Sequence, residues 1–506
     1  MDNIFDKLFE ISDTADSLDK FINENMQSVN EFYNSDYRSI FLYIDSIERF
    51  ILFKHRTIAE LNYEKTYTKS FVLMLLEYCE RFNLIGATPH IYSILNRNDI
   101  QINSRMQAAL LFLYPKPTQN SDFVDRFDSI CETLQFAIDN EEDNDKKAIA
   151  TFLNYYGIVI NDTNLKVAEE IKLKIVAATQ SGTYNFFQNE ELSTILDIEL
   201  QDSAVAYKQI QNVIDKTLGK EAFVVSVSDI EADETVQEFL IETDTDYSRK
   251  LMSVPNSFDC IRDVSVKQSD GSIYTNRGVK IPESEKELFA YMRRVGNMHK
   301  AKLQVALDKL SHTFPSKVRL IDWGCGQGIA SMIFLEKFGN NMIDIITLIE
   351  PSEIALKRAA LHCKKYCADI PLKTICKKLD NLEERDFDFP QLNITVHFFS
   401  NILDIDDYSQ SHLIELIEQT QSGKNYFVCA SPYIDAIKAE RLESFKRHFE
   451  SKYDSFELLF EATNGKGDEF WCCNNSYKNC TCLEHPENGC HNKWTRVIKV
   501  FKVILE

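Results

Sequence analysis

Three of the fifteen glycines in this 506-residue chain fall within five positions of the stretch VRLIDWGCGQGIAS, residues 318–331, directly after a short apolar run. A glycine-rich turn between a strand and a helix lets a ligand approach the backbone and meet the free N–H groups at the helix start. Spacing narrows the choice of ligand. A nucleoside triphosphate loop needs G-x-x-x-x-G-K-[ST], and this turn holds no lysine. A dinucleotide turn needs G-x-G-x-x-G, but the residue three after Gly326 is Ile329. What stands is D-x-G-x-G-x-G, from Asp322 through Gly324 and Gly326 to Gly328. Further on, the apolar run DIITLIE ends in Glu350, a carboxylate able to accept hydrogen bonds from both hydroxyls of a ribose. The pair points to a nucleotide or nucleoside ligand.

The same residues resemble motif I and the second-strand acid of class I, Rossmann-like S-adenosylmethionine-dependent methyltransferases, over residues 281–506 and none before them. The resemblance implies S-adenosylmethionine as cofactor, held by Asp322, Gly324, Cys325, Gly326, Gly328, Glu350 and Pro351. It places Asp380, with Asn381, near the adenine, and Ser400 on the cofactor side of the fourth strand. Trp323, directly before the first glycine, is a further candidate for the pocket wall. The acceptor is to be read from the end of that strand, where Asn401 and Asp404 are the candidate catalytic residues. Amino methyltransferases acting on adenine or glutamine amides carry [DN]-P-P-[YF] there, whereas this chain has SNILDI, which argues against that chemistry. His397 lies inside an apolar strand and reads as a core histidine rather than a base. YMRRVGNMHKAK, with Tyr291, Arg293, Arg294, Asn297 and His299, is either a solvated basic helix face or a segment folding over the cofactor. The alternative to methyl transfer is a methyltransferase-like scaffold that keeps the pocket without the reaction.

A second cluster lies near the C-terminus. Cys473, Cys480, Cys482 and Cys490, spaced C-x6-C-x-C-x7-C, are able to surround one tetrahedral zinc, a structural role rather than a catalytic one. The competing reading is a reduced, exposed insertion at 471–491.

The elements that must position these residues follow from periodicity. Residues 1–220 carry apolar residues at three and four spacings and read as an all-helical domain of ten or more short helices, a solenoid-like stack or an irregular bundle. Residues 221–280 read as an acidic connector with short strands. Residues 281–506 open on a helix, single or broken near Gly296, and then alternate β-rich runs with amphipathic stretches. That order predicts a doubly wound, mostly parallel seven-stranded sheet whose last two strands form an antiparallel pair. The formal charge of −22 lies mainly in the helical part, about −13 in residues 1–220 against about −3 in 281–506. Such a balance disfavours nucleic acid and suggests a macromolecular substrate, a protein with a basic surface, docked by the helical domain. No run of about 18 apolar residues appears and the start MDNIFDKLFEISD lacks the pattern of a secretory signal, so the expected setting is cytoplasmic and without a membrane.

Overall fold

The computed structural model describes residues 4–35, 37–115, 117, 119–140, 142–218, 245–269, 281–310, 314–387, 394–465 and 495–505. The chain divides into two compact units, Met1–Val224 with Ile434–Glu440, and Val225–Tyr433 with Arg441–Glu506.

The first unit is helical throughout its described residues. Thr14, Asn103, Asn144 and Asn164 cap helices by accepting backbone N–H groups, as their residue types predict. In a solenoid each repeat touches only its neighbours. Here the last helix, Ser203–Leu218, returns to the third, Tyr37–Phe41, where the Tyr37 hydroxyl donates to Gln211 Oε1 at 3.1 Å. That closure makes the unit a bundle. At its centre Arg105 is buried against Glu77, Glu80 and Asp143 at 2.8, 3.3 and 2.7 Å.

The second unit is built on seven strands: β1 Val318–Trp323, β2 Ile343–Ile349, β3 Leu372–Ile375, β4 Ile394–Ser400, β5 Gly423–Ser431, β6 Glu457–Asn464 and β7 Arg496–Leu505. Their order is β3-β2-β1-β4-β5-β7-β6, with β7 antiparallel to both neighbours. The central strands β1 and β4 are buried almost end to end because both faces are covered, Arg319, Asp322, Thr395 and His397 included. Helices α1 Thr245–Met252, α2 Phe258–Val266, α3 Glu285–Leu307, α4 Ile329–Phe338 and α5 Glu353–Tyr366 precede α6 Gln410–Thr420 and α7 Ala436–Lys452. One sheet face, through Leu320, Leu348, Val396 and Val428, shares a core with residues of α1 to α5. The opposite face is aromatic: Phe427 lies against Phe445, Phe449 and Phe501.

One sequence expectation changes and one alternative is settled. Residues 245–269, inside the expected connector, form α1 and α2, and Tyr247, Leu251, Phe258 and Ile261 enter the sheet unit's core. The β-branched run at 222–230 lies outside the described residues. Helix α3 is unbroken at Gly296, where a Cβ would stand 3.2 Å from Met292 Sδ of the same helix and in ordinary contact with the Arg262 side chain. No helix of the described residues is long and apolar enough to cross a membrane.

Candidate active site

In a doubly wound sheet the ligand cleft opens where the strand order reverses, at the carboxyl ends of β1 and β4. A cleft lies there, walled by Gly324, Gly326, Glu350, Pro351, Asp380, Ser400 and Asn401, and by Leu288 and Tyr291 of α3. The three glycines behave differently. All have positive φ, 61°, 51° and 75°, which the tight turn from β1 into α4 imposes. A Cβ on Gly324 would come within 2.7 Å of Ile402 Cδ1, and one on Gly328 within 3.2 Å of the Ala359 backbone. A Cβ on Gly326 would meet nothing within 4 Å. Gly324 and Gly328 are therefore glycine because protein packs there, and Gly326 is the one that faces open space.

Glu350, just past β2, holds the turn from the other side. Its Oε2 accepts the Gly326 N–H at 3.0 Å and its Oε1 accepts the Ser352 N–H at 3.1 Å. Burial lifts this carboxyl to about 7, against the downward pull of those two donors. Asp322 serves the strand-to-helix junction: Oδ2 accepts the Ser331 N–H at 3.2 Å and the Ser331 hydroxyl at 2.7 Å. It is also lifted by burial to about 7, and it is not part of the cleft wall. The Cys325 N–H donates to Ile349 O at 2.9 Å, its thiol is buried, and burial raises the thiol far above its ordinary value. Trp323 is wholly buried, stacked on Phe387 and Phe399, rather than lining the cleft.

Of the remaining sequence candidates, Asp380 is on the wall and accepts the Ser409 N–H at 2.7 Å, whereas Asn381 is exposed and off the wall. Asp404 is buried and also off the wall. His397 is a core residue with both ring nitrogens used. The Trp323 indole donates to Nδ1 at 3.1 Å, so Nε2 carries the proton and donates to Asn425 Oδ1 at 2.9 Å. Burial holds it down at about 4. Arg293 donates to Ser269 O, away from the cleft wall.

Asn401 stands at the end of β4 with φ 57°, its N–H donating to Ala430 O at 2.8 Å. Its side chain meets His299 and Lys302 of α3. Lys302 was not anticipated, since HKAK reads as a solvated basic stretch. The signal was its spacing: positions 291, 295, 299 and 302 share one helix face with the apolar Leu303 and Ala306 beside it. Lys377, Lys378, Asp407 and Tyr408 also line the cleft without any distinguishing pattern in the sequence.

The sheet unit has the Rossmann-like methyltransferase fold. Its strand order, reversal point and antiparallel β7 carry that statement. No family model and no curated protein matches the chain. Among solved structures it is similar to the plantazolicin methyltransferase BpumL in complex with SAH, at 13% identity over 48% of this chain and 97% of that one, TM-score 0.29. It is similar to a SAM-dependent methyltransferase from Leishmania major at 12% identity over 50% and 88%, TM-score 0.25. A putative RNA methyltransferase from Pyrococcus horikoshii gives 13% identity over 41% and 85%, TM-score 0.25. Cys473, Cys480, Cys482 and Cys490 lie outside the described residues, and within those residues no cluster of three His, Cys, Asp or Glu side chains is arranged for a metal.

Proposed function

We propose that the sheet unit binds S-adenosylmethionine and transfers its methyl group. The observation that carries this is the joining of the two strand ends, Glu350 clamping the N–H of the one turn glycine whose missing side chain leaves space. The donor set fits the ligand. Each Glu350 oxygen accepts one backbone N–H and keeps a lone pair for a ribose hydroxyl. Leu379 and Asp380 offer an apolar wall and an acceptor for the adenine amino group. Nothing cationic is required for phosphates, and none is present in the turn. The sulfonium supplies an activated methyl, so the chain's task is to align an acceptor with it and exclude water. Asn401 and Ser400, at the end of β4, stand where the acceptor would enter. We further propose that the acidic helical unit receives a protein substrate with a basic surface, in keeping with the charge of residues 1–220.

Calorimetry with S-adenosylmethionine tests the pocket. The parent protein is expected to bind and Gly326→Arg to lose binding while melting as a folded protein. Absence of binding by the parent would sink the reading.

A further inference from the structure

We propose that Lys302, Asn401, His299 and Ser400 form a one-way series of hydrogen bonds that turns the Ser400 hydroxyl into a donor for a carboxylate oxygen of the ligand in the cleft. This rests on the methyl-transfer reading above and deepens it. Two carboxylates share that chemistry: the α-carboxylate of the cofactor, and one carried by the methyl acceptor.

The directions are fixed from one end. Lys302 is fully buried and its ammonium can only donate, so the Asn401 atom 2.5 Å from its Nζ is the carbonyl Oδ1. The Asn401 amide nitrogen then faces His299 and donates to Nε2 at 2.6 Å. That takes the Nε2 lone pair, and the Tyr291 hydroxyl 3.1 Å away meets a nitrogen already occupied. A ring nitrogen that accepts carries no proton, so the ring proton sits on Nδ1, directed at Ser400 Oγ 3.3 Å away. The Ser400 oxygen accepts there, which leaves its own proton to be given elsewhere. Among the described residues no acceptor for that proton stands within hydrogen-bond distance, and Ser400 lies on the cleft wall.

Every link donates toward the cleft, and in a low-dielectric interior links of one sense polarise one another. The series starts at a cation whose field reaches the ring: burial, reinforced by Lys302, holds His299 neutral well below its ordinary range. A ring kept neutral passes on the direction of the series without taking up a proton. A donor polarised by a buried cation suits an anionic oxygen better than a hydroxyl or an ether. Asn401 spends its side chain on Lys302 and His299, so it acts through Ser400 as a positioning residue rather than on the acceptor.

The test compares the parent with Ser400→Ala by calorimetry with S-adenosylhomocysteine and with 5′-methylthioadenosine, which lacks the amino-acid carboxylate. Transfer of tritiated methyl from S-adenosylmethionine into a clarified cell extract is measured beside it. If the cofactor supplies the carboxylate, Ser400→Ala should weaken S-adenosylhomocysteine by at least about tenfold and leave methylthioadenosine within about twofold. If the acceptor supplies it, both affinities should hold and transfer should fall by at least about tenfold. Long-range proton–nitrogen correlation on the full chain labelled at histidine, assigned with His299→Gln, reads the direction itself: the Nδ1–H tautomer is expected at pH 7. Lys302→Met frees the Asn401 amide to turn over. The Nε2–H form should then appear, the bare Nδ1 should claim the Ser400 proton, and the loss should match that of Ser400→Ala although Ser400 is intact. An Nε2–H or protonated ring in the parent, equal losses with both nucleosides, or a Ser400→Ala protein changed in neither affinity nor transfer would overturn the proposal. Failure of the parent to bind S-adenosylhomocysteine would instead overturn the cofactor reading, on which the tautomer does not depend.

Discussion

At the scale of single residues, Glu350 links ligand affinity to pH. Its carboxyl stands at about 7 because burial penalises the charge more than the Gly326 and Ser352 N–H groups favour it. Ribose hydroxyls donate to the ionised form, so binding below about pH 7 must expel a proton. Affinity for S-adenosylmethionine should be flat above pH 7 and about tenfold weaker at pH 6, with proton release visible as a binding heat that depends on the buffer's ionisation enthalpy. Glu350→Gln should remove that pH dependence. It should also cost about 1.5–3 kcal/mol of binding, because an amide presents a donor to one of the two backbone N–H groups. An affinity that is the same at pH 6 and 8 in the parent would refute the role given to Glu350.

The turn and helix elements around that carboxylate separate folding from binding. Gly328→Ala combines a left-handed backbone with a contact to Ala359, and should destabilise the sheet unit by about 2–4 kcal/mol. Gly326→Ala carries only the backbone penalty, about 1–2 kcal/mol, yet puts a methyl into the cleft. Thermal melts should therefore rank Gly328→Ala as the more damaging change, and cofactor calorimetry should rank Gly326→Ala so. Equal effects in both assays would mean the glycines are not divided this way. This division was invisible in the sequence, where D-x-G-x-G-x-G shows three equivalent glycines. The five parallel strands were legible because buried parallel strands read as largely apolar runs separated by amphipathic stretches, and β6 and β7 as β-rich runs at the end of the chain. The Lys302–Asn401–His299 contacts were not legible, since they join positions about a hundred residues apart and burial reverses what a lysine usually signals. Helices α1 and α2 were missed for a related reason. Their few apolar residues are sufficient only because α3 and α4 already offer a core to join.

Across the whole molecule the two units should respond differently to acid. The sheet unit buries three histidines held neutral: His299, His362 at about 3 and His397 at about 4. Unfolded, each takes up a proton below about 6.5. It also buries Asp322 and Glu350, both at about 7, which are protonated in the folded state and ionised in the unfolded one between about pH 5 and 6.5. The histidines make stability fall as pH drops through this window and the two carboxyls make it rise. Unfolding takes up three protons and releases two, 3 − 2 = 1, so the net loss is about 1.4 kcal/mol per pH unit on acidification. The helical unit balances differently: Glu77 is held low by Arg105 and Asp143 by Lys147 and Arg105, so both lose their stabilising effect only below the ordinary carboxylate range, while burial raises Glu80 and lowers the partly buried His90, two effects of opposite sign on acidification. Trp323 is buried in the sheet unit, so with Trp471 and Trp494 replaced by phenylalanine its fluorescence reports that unit's unfolding separately from the far-ultraviolet signal dominated by helices. Denaturant midpoints followed by tryptophan should move down between pH 6.5 and 5. Saturating S-adenosylmethionine, which keeps Glu350 ionised, makes the count 3 − 1 = 2 and should double the slope. A tryptophan-detected midpoint that does not change over this range would mean that the buried histidines are matched proton for proton by carboxyls, and that a third raised acid lies in the sheet unit.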